Sequence, residues 1–271
     1  MLAGKVLSLY SKVVLFDRLT FLGIDPTAGE KPCTYAALDG GLKLLALGQG
    51  SLDDVLAFAA GLRQAVAVVC APRRPNQGLM ARPEVRQALN PPPAPGRWEG
   101  FRLAETLLRR KGIAIPRTPA SEEAAPGWMR RGFLLFRRLE AIGYQADLDG
   151  GAERLSLEVY PHACFTALLT GVAPYPKQTL EGRLQRQLVL YEKDVQIGDP
   201  LEFLEEFTRR HLLTGKLPFE QIHTPAELDA LVAAYTGWLA LRYPERVERL
   251  GALEEGEIVV PLVGSGLKPG G

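Results

Sequence analysis

The chain has 271 residues, enough for one large domain or two small ones, and its 46% hydrophobic and 23% charged content excludes wholesale disorder. With 32 Lys and Arg against 31 Asp and Glu the formal charge is +1, so no global field draws nucleic acid and any such contact must come from a local patch. Three cysteines and three histidines are too few for a disulfide framework, a Cys-rich zinc site or a His-based metal cluster, and a reducing cytoplasmic location is expected.

Residues 1–20 are moderately apolar but are interrupted by Lys5, Lys12, Asp17 and Arg18. They read as a short N-terminal extension rather than a signal peptide. No run approaches about 18 uninterrupted apolar residues, so no membrane span is expected. Phe21–Asp25 is a strand-like run ending in a carboxylate before Pro26. Thr34–Leu38 and Leu42–Leu47 flank Asp39-Gly40-Gly41, a hairpin signal because glycine tolerates the positive φ of tight turns. Ser51 with Asp54 resembles a capping box, and Leu52, Val55, Leu56, Ala59 and Leu62 continue at helical spacing. Val66–Ala71 is a continuous apolar run, the pattern of a strand buried on both faces. Three strands, a helix and a fourth strand predict a mixed sheet with a parallel centre.

Seven prolines between Pro72 and Gly96 mark a long loop, unable to form a core strand or helix. Helices are predicted over Glu99–Lys111 and Pro126–Ile142, each stopped by glycine, and residues 72–150 read as a helical insertion within one domain spanning 21–263. Trp128, Phe133 and Phe136 read as core rather than as a base-stacking platform. Arg154–Tyr160 resumes the sheet, with Leu155, Leu157 and Val159 on one face and Ser156, Glu158 and Tyr160 on the other. Pro161 opens a helix towards Thr170, and further helices follow at Leu180–Val195, Leu201–Leu213 and, behind the Thr224–Glu227 capping box, to Arg242. Glu257–Val263 reads as a last edge strand and residues 264–271 as a frayed tail.

Three acids stand where open α/β sheets keep their chemistry. Asp25 closes the first strand, Glu158 lies near the end of the last core strand, and Asp229 sits one turn into the helix capped at Thr224. Carboxylates at strand ends suit Mg²⁺ or Mn²⁺, which can activate water for phosphodiester cleavage. Each has a plain alternative: a turn residue at Asp25, an exposed strand acid at Glu158, and a complement to the helix dipole at Asp229.

The order of motifs resembles a family of predicted nucleases with a ribonuclease H-like fold, long catalogued as a domain of unknown function. The matching pieces are Gly23-Ile24-Asp25, Val68-Val69-Cys70-Ala71-Pro72, Phe101–Glu105 through Lys111-Gly112-Ile113, and Pro126–Met129. Glu158-Val159-Tyr160-Pro161-His162, Leu228–Ala234 and Glu255–Pro261 complete the set, over roughly residues 21–262. The resemblance implies an α/β fold with a ribonuclease H-like mixed five-stranded sheet, flanking helices, and a helical insertion between the fourth and fifth strands. It makes Asp25, Glu158 and Asp229 the catalytic and metal-binding acids. The family usually has Asp-Ala-Pro where this chain has Cys70-Ala71-Pro72. A thiolate is a soft, poor partner for Mg²⁺. Either the missing carboxylate weakens the site, or Glu158 supplies the essential charge and position 70 is not a ligand. On its own residues, Cys70 reads as a small buried hydrophobe rather than a nucleophile.

Arg73 and Arg74 follow the fourth strand, Arg102 opens the inserted helix, and Lys177, Arg183 and Arg186 flank another. These side chains either hold phosphate oxygens or pair with the nearly equal number of acids. Arg73, Arg74, Arg102, Lys177 and His162 are the expected substrate contacts, with His162 open to proton transfer or to a structural hydrogen bond. The leading expectation is therefore a divalent-metal-dependent nuclease acting on DNA or RNA, using Mg²⁺ or Mn²⁺. The alternative is a catalytically silent relative that binds nucleic acid or a protein partner. Gly-Ile-Asp also opens the phosphate loops of actin-like sugar kinases, but the second domain and glycine-rich adenosine motif those require are not found.

Overall fold

A computed structural model describes residues 19–27, 29, 31–146, 153–215 and 221–264. The N-terminal extension, apart from Leu19 and Thr20, and the tail beyond Gly264 lie outside the described residues. Seven strands and eight α-helices are described. The strands are β1 (Thr20–Asp25), β2 (Cys33–Leu38), β3 (Leu44–Gly50), β4 (Ala65–Val69), β5 (Arg154–Val159), β6 (Val247–Ala252) and β7 (Gly256–Pro261). The helices are α1 (Leu52–Gly61), α2 (Pro83–Gln87), α3 (Leu103–Arg110), α4 (Gly127–Ala141), α5 (Pro161–Leu168), α6 (Leu180–Tyr191), α7 (Pro200–Thr214) and α8 (Pro225–Arg242).

All seven strands form one mixed sheet in the order β3-β2-β1-β4-β5-β7-β6. The β1–β2–β3 meander is antiparallel, β1, β4, β5 and β7 run parallel, and β6 returns antiparallel along β7. The sheet thus has two more strands than the expected five. Residues 257–263 are not an edge: β7 is interior, with Glu158 opposite Ile258 and Val159 opposite Val259. The edge is β6, which carries no long apolar run. Its Glu248 pairs with Lys111 and its Arg249 with Glu257, so it presents charge outward as edge strands commonly do.

Local chemistry sets the boundaries. The Asp39 carboxylate accepts from the N–H groups of Gly41 (2.8 Å) and Lys43 (2.9 Å), so the hairpin turn absorbs Leu42 and β3 starts at Leu44. Ser51 and Asp54 form a reciprocal capping box at α1, and Thr224 and Glu227 form another at α8. Pro83 opens the five-residue α2 inside the proline-rich stretch, because proline fits the first helical turn. Helix α3 begins at Leu103 rather than Glu99, where Glu105 accepts from the Arg102 N–H at 3.1 Å.

Both faces of the sheet are covered. Phe21, Val66, Val68, Leu157 and Val159 pack on α8, while Leu22, Ile24, Ala67 and Val69 pack on α1 and α4 with Phe136 and Tyr144. Helix α8 lies unusually close to β1: a Cβ at Gly23 would fall 1.9 Å from the Ala230 carbonyl oxygen. The glycine of Gly23-Ile24-Asp25 and the small residues of α8 therefore serve one purpose, which is to bring Asp229 down to the end of β1. No helix of the described residues is long and apolar enough to cross a membrane.

Candidate functional site

Strand parity decides which acids meet. Ile24, Val69 and Glu158 are neighbours across β1, β4 and β5, and all three belong to the face covered by α1 and α4. One residue further along, Asp25, Cys70 and Val159 point to the opposite face, beneath α8. Asp25 and Asp229 accordingly line one open cleft of about 960 Å³ at the carboxyl ends of the central strands, and Glu158 does not. The expected triad is thus a pair with Cys70 beside it. Among the described residues no group of three or more His, Cys, Asp or Glu is placed to share a metal ion.

Two carboxylates meet at the cleft floor, with Lys177 and Arg186 as the cations lining it beside them. Lys177, from the loop before α6, donates to Asp229 Oδ2 at 2.7 Å. Asp229 keeps only 6% of its surface exposed, and burial raises its pKa against the pull of Lys177. The Asp25 carboxylate accepts no hydrogen bond from a described residue. Burial, and then the charge of Asp229, push its carboxyl up to about 7, with Lys177 opposing. Burial alone would depress the Lys177 ammonium, but the charge and hydrogen bond of Asp229 outweigh it and the pKa rises. Cys70 donates its thiol to the Asp229 carbonyl at 3.4 Å, and burial holds that thiol well above the ordinary cysteine value.

Around this floor stand Tyr160 and His162 at the start of α5, Trp128 at the start of α4, Tyr175, and Lys31 from the β1–β2 connection. His162 is half-buried, and burial followed by the charge of Arg186 lowers its pKa, so its ring is neutral at pH 7. Lys177 and His162 are the two expected substrate contacts that reach the cleft. Lys31 and Tyr175 were not singled out from sequence. Lys31 follows a strand-end acid in a loop, which is the available signal; Tyr175 has none beyond its neighbours Pro174 and Pro176. Trp128 does not belong wholly to the core: Phe133 and Phe136 are fully buried, but Trp128 is half-buried and faces the cleft.

The remaining expected contacts build a different constellation. Arg102, 1% exposed, grips Glu158 with both guanidinium nitrogens at 3.0 and 2.5 Å and donates from Nε to Glu105 at 3.1 Å. Glu158 also accepts from the Arg73 N–H at 2.8 Å. The Arg73 guanidinium spans Glu140 (2.8 Å), the Ser156 carbonyl (2.6 Å) and the Ser156 hydroxyl (2.8 Å). Glu255 accepts from the N–H groups of Gln77, Leu79 and Leu103. This buried hub ties the insertion to β5 and β7. Arg102 is taken up by Glu158 and Glu105 and the Arg73 guanidinium by Glu140 and Ser156, and neither they, Glu158 nor Arg74 line the cleft. Arg183 is similarly occupied, donating to the carbonyls of Ile222 and His223.

Fold and site together define an α/β protein with a recessed acidic pair in an open cleft at the ends of its parallel strands. The chain belongs to the family described as protein of unknown function (DUF429), whose model matches residues 23–255. No curated protein and no solved structure matches it.

Proposed function

We propose that this protein is a divalent-metal-dependent phosphodiesterase acting on nucleic acid, built on a ribonuclease H-like core, with Asp25 and Asp229 as its metal-binding acids. The observation that carries this reading is the convergence of these two carboxylates, from the first strand and the last helix, on one cleft floor. The β3-β2-β1-β4-β5 portion, with its antiparallel meander and parallel centre, supports the ribonuclease H-like assignment, to which β7 and β6 are additions.

A divalent cation suits the residues present. The Asp25 carboxylate has no hydrogen-bond partner among the described residues, and Lys177 engages only Oδ2 of Asp229. Mg²⁺ is commonly held by one or two carboxylates, with water and substrate phosphate completing its shell, so a pair is enough. Bound Mg²⁺ or Mn²⁺ would supply charge to a phosphoryl oxygen and acidify water. Lys177 would fix the Asp229 carboxylate while its ammonium, about half exposed, faces arriving phosphate. His162, whose pKa burial lowers, would be available to accept a proton.

A second reading, a catalytically silent relative that binds nucleic acid or a protein through the same cleft, draws on Cys70. This residue stands in the strand row of Asp25, where a third carboxylate would reach the site. Mn²⁺ titration with a thermal-shift readout, followed by cleavage assays on DNA and RNA, separates the two. Stabilisation by Mn²⁺ and cleavage that Asp25→Asn abolishes are expected. Equal cleavage by wild type and Asp25→Asn would mean contamination, and stabilisation without cleavage would favour the silent reading.

A further inference from the structure

The acidic floor occupies a small part of the cleft, and the remaining walls differ from those of a simple phosphate site. Trp128 and Tyr175 present aromatic surface to the same space as Lys31 and Lys177. The rims are anchored. Arg186, 3% exposed, donates to the Tyr175 carbonyl at 2.8 Å, and the Tyr175 N–H donates to Gln185 at 2.9 Å. The Tyr175 backbone is thus held from two sides while its side chain is 58% exposed. On the other rim Arg131 donates to the carbonyls of Thr27 (2.9 Å) and Lys31 (2.5 Å), and the Lys31 ammonium makes no ion pair with a described residue. Side chains presented from fixed backbone lose little entropy on binding.

An exposed aromatic ring on held backbone, beside the Lys31 ammonium and a half-exposed Lys177 that bonds Asp229, matches what an unpaired nucleotide chain needs. Base faces are available for stacking only when the strand is single; in a duplex they are hidden in the stack. The carboxylates are recessed, with Asp229 nearly buried, so a phosphate must enter the cleft to reach them. A cavity near 960 Å³ lies at the upper end of ligand-pocket volumes and admits a flexible strand. We infer that the cleft binds single-stranded nucleic acid in preference to duplex, with bases stacked on Trp128 and Tyr175 and phosphates drawn by Lys31 and Lys177.

This inference deepens the function proposed above and rests on that reading for the role of the floor, but it is tested by binding alone. Fluorescein-labelled single strands of mixed sequence, as DNA and as RNA, and the matching duplexes are titrated with the full chain in Ca²⁺ buffer and read by anisotropy. Single strands are expected to bind at least about tenfold more tightly than duplex. Tyr175→Ala should weaken single-strand binding by about tenfold, the loss of stacking on one ring. Tyr175→Phe, which keeps the ring, should retain it. Quenching of tryptophan fluorescence by the unlabelled strand should be diminished in Trp128→Phe. Equal or tighter duplex binding, or single-strand binding unmoved by Tyr175→Ala, would overturn the inference. So would the absence of nucleic-acid binding in a protein that still binds Mn²⁺ through Asp25, which leaves the metal reading standing. Single-strand binding with no Mn²⁺ binding supports the inference and overturns the metal reading instead.

Discussion

Two polar clusters lie on opposite faces of the same sheet, and they are built to different standards. In the hub beneath α4, Glu158 is held by Arg102 and the Arg73 N–H, and Glu105 and Glu255 take further donors. In the cleft beneath α8, Asp25 and Asp229 face each other's charge with Lys177 as their bonded cation, and the Asp25 carboxyl is driven up to about 7. A buried ionic cluster with its groups satisfied fixes structure. A cluster left charged and open to solvent is where a ligand completes the accounting. The contrast separates three acids that look alike in sequence: Glu158 is bound into a buried hub, while Asp25 and Asp229 line the cleft.

The largest effect should come from breaking the satisfied side. Glu158→Ala takes from buried Arg102 its two-pronged partner, leaving Glu105 as its one carboxylate, and is expected to cost about 3 kcal/mol in guanidinium unfolding. A loss below about 1 kcal/mol would deny the hub its structural role. The unsatisfied side should respond oppositely. The Asp25 carboxyl sits near 7 in the folded chain against 3.8 when unperturbed, so the folded state holds a proton the unfolded state has lost between those values. Stability of the metal-free protein should therefore fall as pH rises from about 4 through about 7. Asp25→Asn removes that contribution. In chelator at pH 8 it should be more stable than wild type by on the order of 2 kcal/mol, after discounting for partial exposure.

Cys70→Asp sharpens the comparison further. It adds a carboxylate in the Asp25 row and should tighten Mn²⁺ binding about tenfold, or about 1.4 kcal/mol, while lowering metal-free stability. Calorimetric titration reads the affinity and urea unfolding in chelator the stability, and unchanged affinity would show that position 70 does not face the ion. The smallest effect calibrates the rest. Ser51→Ala removes the α1 cap, remote from both clusters, and should cost about 1 kcal/mol by urea unfolding with metal affinity unmoved.

Much of the framework is legible in sequence because it is encoded locally. The Asp39 turn, the Ser51 and Thr224 caps, Pro161 at a helix start and the apolar run of β4 each announce an element without reference to the rest. Strand β6 is not legible, since a half-exposed edge with alternating charge reads as loop. Position in the sequence offers Asp25, Glu158 and Asp229 together and does not single out the pair that shares the cleft. The alternation of Glu158 with Leu157 and Val159 is plain in sequence, but which face α8 covers is set by the contact of Gly23 with Ala230, which is not. Arg73 and Arg102 stand where phosphate ligands would, and nothing local reveals that they turn inward to Ser156 and Glu158.

The central claim is that Asp25 and Asp229 together hold a divalent cation, and Mn²⁺ binding measured on wild type, Asp25→Asn and Glu158→Gln tests it most directly. The account predicts binding by wild type, a loss of at least about tenfold in Asp25→Asn, and retention in folded Glu158→Gln. Equal Mn²⁺ affinity in wild type and Asp25→Asn would contradict it.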